Sequence, residues 1–159
     1  MPLSRVLAVV SGDPSDDGVV TQAAEMVRPT KGKLYILYVI KVARSLPVDA
    51  EVESEVIRGE RVLQETERLA HLPRGDVEAE ILQSREVGAA VVHETAVRDV
   101  DAVVVGTSYP TELGAFSLGQ DIPYILENAP CLVLLWREPR PGTRPDSPRR
   151  NGRVSARIG

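Results

Sequence analysis

The sequence predicts an α/β fold: a five-stranded parallel sheet, doubly wound in the Rossmann-like manner. Three observations predict it. Short, continuous apolar runs alternate with longer segments of helical periodicity. Most of those runs are apolar on both faces, as strands are when helices cover each side of a parallel sheet. At 159 residues, 43% of them hydrophobic, the chain can build one packed domain but not two of typical size. Aromatics are only 4%, so the core must be made of Val, Leu, Ile and Ala.

The elements follow in order. Val6 to Val10 is a continuous apolar run and reads as a buried strand. Pro14, Ser15, Asp16 and Asp17 supply turn and cap chemistry for a helix from about Gly18 to Val27. Leu34 to Val42 is a second strand, rich in β-branched and aromatic residues. A loop with Pro47 leads to a long helix over Glu51 to His71. Val52, Val56, Ile57, Val62, Leu63 and Leu69 form its inward face, and Arg58 to Arg68 its solvated, i,i+4-paired face. His71 would suit the negative end of that helix dipole. Pro73-Arg74-Gly75 punctuates. Val77, Ala79 and Ile81 alternate with Glu78, Glu80 and Leu82, a less buried third strand. Val87 to Arg98 is the third helix, with Ala90, Val91 and Ala96 inward. Ala102 to Val105 is the fourth strand, Ile122 to Asn128 a fourth helix, and Cys131 to Trp136 the fifth strand. Right-handed crossovers then give an open, doubly wound sheet.

The charge is unevenly spread. The whole chain carries −4, but Arg137 to Gly159 holds seven Arg against two acids, a net +5, which leaves −9 for the rest. An acidic globule argues against a general nucleic-acid-binding surface. The division predicted is a domain over residues 1–137 and a basic, Pro/Arg-rich tail over 138–159. That tail has too little apolar surface to offset its ordering entropy and is expected to stay disordered. A basic arm touching an acidic partner, a membrane or nucleic acid is the competing reading. No apolar run approaches the 18 residues of a membrane span. The N-terminal apolar run reads as a strand rather than a signal peptide. The single cysteine, Cys131, excludes an internal disulfide, fits a cytoplasmic protein and sits in an apolar setting expected to bury it as an inert thiol.

Ligands in such sheets bind beyond the carboxyl ends of the strands, near the point where strand order reverses. The loops after the first and fourth strands are therefore the candidates. The fourth strand ends in Gly106, and a loop of small and polar residues is closed by Gly119-Gln120 before the fourth helix. A strand, a glycine-bearing loop and a helix N-terminus can together cradle an anion.

The strand–helix order, that loop, and Asn128-Ala129-Pro130 leading into the last strand resemble the universal stress protein (UspA) family, over roughly residues 4 to 137. Many members carry Gly-x2-Gly-x9-Gly-Ser/Thr after the fourth strand and hold ATP. This chain keeps the spacing but not the letters. Gly106 stands at the first glycine, Tyr109 at the second, Gly119 at the third, and Gln120 replaces the hydroxyl residue. Ser11 stands where nucleotide-binding members usually have Asp, and Val39 at the apolar position beside adenine. Thr107, Ser108 and Ser117 remain as hydroxyl donors. A tyrosine forced into a glycine's conformation would pay about 1–2 kcal/mol and fill the space. No Lys or Arg lies between Gly106 and Trp136, while Glu112, Asp121 and Glu127 do.

The resemblance therefore implies a stress-response or regulatory protein, non-catalytic or at most a slow ATP hydrolase, with a degenerate nucleotide cleft. The alternative it leaves open is an adenine-nucleotide sensor, for ATP, AMP or a cyclic dinucleotide, built on Ser11, Val39, Gly106, Thr107, Ser108, Tyr109, Gly119 and Gln120. It also implies a homodimer through Cys131, Leu132, Val133, Leu134, Leu135 and Trp136, whose pairing would remove an edge and bury Leu134 and Trp136; a monomer whose edge is covered by the tail is the competing reading. Nothing else in the chain competes. Ser11-Gly12-Asp13-Pro14-Ser15-Asp16 only faintly resembles the pyrophosphate loop of adenylating enzymes, and a turn with an N-cap explains it. His71 and His93 have no second ligand at metal spacing, and no catalytic triad can be assembled.

Overall fold

The computed structural model of the chain describes residues 2–50, 52–109 and 116–140. Glu51, Glu112 and the tail from residue 141 lie outside the described residues. Five strands alternate with four helices: β1 (Arg5–Val10), α1 (Asp16–Val27), β2 (Lys33–Lys41), α2 (Glu53–Ala70), β3 (Val77–Ser84), α3 (Val87–Val97), β4 (Ala102–Thr107), α4 (Asp121–Asn128) and β5 (Leu132–Arg137). Short 3₁₀ turns at Arg28–Thr30 and Arg74–Asp76 follow α1 and precede β3. All strand pairs are parallel, in the order β3-β2-β1-β4-β5. From β1 the chain steps outward through β2 to β3, then crosses back to place β4 on the other side of β1. The loops after β1 and β4 thus diverge at one point, which opens a cleft there.

The alternation of side chains along each strand builds two cores. Val6, Ala8 and Val10 of β1 face α1 and α2, where Val19, Val20, Ala23, Val27 and Leu63 complete a buried cluster. Leu7 of β1 faces the other side, joined by Leu37, Val103, Val105, Val91, Ile122 and Ile125 under α3 and α4. Central strands buried on both faces explain why the sequence reads apolar continuously there.

Three helix-face expectations need correction. On α2 the buried residues are Gly59, Leu63, Thr66 and Ala70, while Ile57 and Leu69 are exposed. On α3 they are Gly88, Val91 and Thr95; Ala96 is exposed and Ala90 only partly covered. Small and hydroxyl residues take these inward positions because the helices approach the sheet closely. Thr66 and Thr95 satisfy their hydroxyls on the carbonyls of Val62 and Val92. Nor do the charges of Arg58 to Arg68 pair along α2: among the described residues no ion pair joins two residues of that helix. His71 is the C-cap of α2, at the end of the helix as expected. Arg28 reaches across from α1 and donates to the carbonyls of His71 (3.1 Å) and Ala70 (3.2 Å).

Candidate functional site

The loop after β1 is organised by two aspartates. Asp16, the first residue of α1, turns its carboxylate back to accept the backbone N–H groups of Gly12 (2.7 Å) and Ser11 (3.1 Å). It is buried, at 6% exposure, and burial is the main cause that lifts its pKa from 3.8 to about 6, against the lowering effect of those two donors. Asp13 accepts from the backbone N–H of Ser15 (2.9 Å) and from its hydroxyl (2.6 Å). Ser15 sits at the N-cap of α1 but caps nothing with its side chain. The other oxygen of Asp13 accepts the Ser108 hydroxyl at 3.0 Å, which ties the loop after β1 to the loop after β4.

The second loop begins at Gly106. A Cβ there would lie 2.5 Å from Ser15 Oγ and from Val19 Cγ2, so the missing side chain lets the first turn of α1 pack directly on β4. This glycine serves packing, and it is not in the left-handed region. Thr107 pairs with Arg137 in the β4–β5 ladder, and its carbonyl accepts the N–H of Glu138 at 2.9 Å. Tyr109 stands near the Phe116 ring, 4.9 Å between centroids, with the Arg137 guanidinium 4.8 Å and the Arg140 guanidinium 5.6 Å from its own centroid. The strain expected at Tyr109 is not found. Outside glycine, the described residues with positive φ are Lys31, His71 and Asp99. The second position of the spacing is thus met by an ordinary backbone carrying an aromatic post.

Gly119 is left-handed at φ +73, with open space where a Cβ would be, and its N–H donates to Ser117 Oγ at 3.1 Å. Gln120 occupies the N-cap of α4, exposed and without a side-chain cap bond. The next residue, Asp121, accepts the N–H of Gly88 at 3.1 Å and so closes the first turn of α3. A cavity of about 360 Å³ lies between the starts of α3 and α4, lined by Glu86, Gly88, Ala89, Gln120, Asp121 and Tyr124. Val39 is half-buried against the α3/α4 core. A larger cavity, about 600 Å³, lies between the end of α2 and the start of β3. It sits at the opposite end of the sheet from the switch point, where this architecture does not place ligands.

The fold brings Ser11, Gly106 and Ser108 together around Asp13 and Asp16, with Tyr109 and Gln120 following on the same edge. Sequence reasoning missed three contributors. Asp13 and Asp16 read as turn and cap residues, and Arg137 lies one position beyond the segment searched for cations. Their only sequence signal is position: two acids directly after a first strand, and an Arg at the end of a last one. Among the described residues no group of His, Cys, Asp and Glu is arranged to hold a metal.

The residues proposed for dimer contact divide in two. β5 is an edge strand, as expected. Leu134 and Trp136, however, already pack on the α1/α2 core, and Val133 and Cys131 on the other. Leu132 and Leu135 remain exposed, at 45% and 40%. Cys131 is only half-buried rather than buried as expected, and desolvation by that burial pushes its thiol pKa up.

The sequence profile of the universal stress protein family matches residues 2–137. No curated protein matches the chain by sequence. Solved structures share its fold. A universal stress protein in complex with cAMP is 17% identical with a TM-score of 0.66, covering 85% of this chain and 97% of its own. UspA from Lactobacillus plantarum is 16% identical with a TM-score of 0.68, covering 84% of this chain and 97% of its own. The protein from Archaeoglobus fulgidus in complex with dAMP is 17% identical with a TM-score of 0.64, covering 85% and 98%.

Proposed function

The chain belongs to the universal stress protein family, and from that premise we propose that it is a non-catalytic, homodimeric regulatory protein whose cleft no longer holds ATP in the family manner. One observation carries this reading. The backbone donors of Ser11 and Gly12 and the hydroxyls of Ser15 and Ser108 are engaged by the chain's own Asp16 and Asp13. A triphosphate entering there would meet carboxylates and compete for donors already in use, at a desolvation cost on both sides. The absence of any candidate catalytic set is why no turnover is assigned beyond, at most, slow hydrolysis.

A cytoplasmic location is proposed on the single cysteine. Among the described residues no helix is long and apolar enough to cross a membrane. Dimerisation is proposed through β5, because exposed Leu132 and Leu135 lie on an otherwise unpaired strand edge. Sedimentation should show a dimer at micromolar protein, and Leu132→Lys with Leu135→Lys should raise its dissociation constant by about a hundredfold, near 2.7 kcal/mol. A monomeric wild type would remove the proposal.

Thermal unfolding with millimolar ATP, ADP, AMP and cyclic dinucleotides, each with Mg²⁺, tests the cleft. No shift with ATP is expected. A ligand present at a hundred times its Kd would stabilise by about 2.7 kcal/mol, so an ATP shift of that size would refute the reading. A second reading is an adenine-nucleotide sensor for a ligand with fewer phosphates. It is favoured by half-buried Val39 at the adenine position, by the Arg137 guanidinium beside Tyr109, and by the family relatives solved with cAMP and dAMP.

A further inference from the structure

The basic arm that begins at Arg137, the last residue of β5, divides in two by composition. Its prolines, Pro139, Pro141, Pro145 and Pro148, all lie in the first half. Its only aliphatic residues, Val154, Ala156 and Ile158, lie in the second, at alternate positions, and Arg153, Ser155 and Arg157 take the positions between. Strict alternation without proline is the pattern of a strand with one apolar and one basic face. These residues lie beyond Arg140, where the described residues end.

β3 carries the matching pattern. It is the second edge of the sheet: it pairs only with β2, and among the described residues no backbone group bonds to its outer side. Such an edge offers a row of unpaired N–H and C=O groups to a strand that reaches it. Val77, Ala79 and Ile81 point to the α1/α2 face and are half-buried there. Glu78, Glu80 and Leu82 point to the α3 face. Glu78 and Glu80, 55% and 44% exposed, share the single Arg98 guanidinium with Glu94. Three carboxylates around one guanidinium leave the cluster two negative charges in excess. Space is open on both faces of this edge: a cavity of about 410 Å³ beside Leu82 and Glu94, and the cavity of about 600 Å³ beside Val77 and Leu72.

We propose that residues 153–158 add to β3 as a sixth, antiparallel strand and cover that edge from within the same chain. The direction follows from where the arm starts. β5 and β3 end on the same side of a parallel sheet, so a segment arriving from Arg140 runs against β3. One register serves both faces. It sets Ile158 beside Val77, Ala156 beside Ala79 and Val154 beside Ile81. It also sets Arg157 beside Glu78, and Arg153 diagonal to Glu80 with its stem along Leu82. The two arginines match the two excess charges. Residues 141–152 can span about 40 Å, against about 24 Å for the five strand spacings from β5 to the new position. β5 is the poorer host, because Leu132–Trp136 is apolar on both faces and has no carboxylate for either arginine. Only six residues are ordered by the pairing, on an edge already built, so the entropy cost is a fraction of that for the whole tail. The arrangement leaves β5 open for the homodimer and does not depend on the reading of the cleft.

The test uses the full chain. Amides of β3 are expected to exchange about tenfold slower in the wild type than in Arg153→Glu with Arg157→Glu, while those of β1 exchange equally in both. Both substitutions lie outside the packed domain, so the variant is expected to fold. In a Cys131→Ser background, Ala79→Cys with Ala156→Cys should oxidise to a disulfide within one chain, and Leu135→Cys with Ala156→Cys should not. Equal exchange of β3 in the two proteins overturns the proposal. So does a 79–156 link that is absent, that joins two chains, or that forms no faster than the 135–156 link.

Discussion

The loop after β1 folds its polar groups onto one another, whereas the loop after β4 reaches outward to aromatic rings and to the arm. Both start from the carboxyl ends of neighbouring strands, and they meet where Ser108 donates to Asp13. In the first loop Asp16 accepts the backbone N–H groups of Ser11 and Gly12, and Asp13 accepts the hydroxyls of Ser15 and Ser108. In the second, the Tyr109 ring meets Phe116 and the guanidiniums of Arg137 and Arg140. The contrast shows how two loops at one switch point can use their polar groups differently, one on its own backbone and the other on contacts to the arm.

The largest expected effect sharpens the contrast through pH. The folded state holds the Asp16 proton up to about pH 6, and the unfolded chain releases it near 3.8. Folded protein therefore binds more protons in that window, so this group's contribution to stability falls as pH rises from about 4 to 6 and is then constant. At about 1.4 kcal/mol per pH unit the change is on the order of 3 kcal/mol. Urea titrations at pH 4, 5, 6 and 7 should show Asp16→Asn lacking that component. Parallel curves for the two proteins would mean that Asp16 is not the buried group inferred.

Gly106→Ala should break the seam between the loops. Its Cβ meets Ser15 and Val19, and overpacking of this kind costs about 1–3 kcal/mol. A chemical-denaturation midpoint equal to wild type would mean that the seam yields easily. Asp13→Ala removes the acceptor for Ser15 and Ser108 at once and should cost about 1–2 kcal/mol. Hydrogen exchange at the amide of Ser15 should quicken in that variant. Tyr109→Ala should cost the least, under about 1 kcal/mol, because its ring is only half-buried and its contacts are with Phe116 and exposed arginines. A loss above about 2 kcal/mol would show Tyr109 to be a structural anchor of the loop.

The sheet was legible because its central strands are buried on both faces, which leaves unbroken apolar runs such as Val6 to Val10 and Ala102 to Val105. The inner face of α3 was not legible. Val and Ala surround that helix on all sides, so periodicity offers no direction, and the close packing of Gly88 and Thr95 decides the matter instead. The loop letters were readable, but their conformations were not. Tyr109 in a glycine position implied strain, and the fold places it without positive φ. Arg137 belongs to the site through strand register with Thr107, a long-range relation that no local window contains. Asp16 looks like any helix-start acid until the return path of its carboxylate to Gly12 is known.

Gly18 leaves a notch in α1, and a side chain there would overlap the Trp136 indole that fills it. That indole is the chain's single tryptophan, and its N–H donates to the carboxylate of Glu138, the second residue of the arm. The emission of an indole changes with the polarity and hydrogen bonding around it. The protein thus carries its own optical reporter at the root of the arm, and movement of that segment can be followed by intrinsic fluorescence without a label.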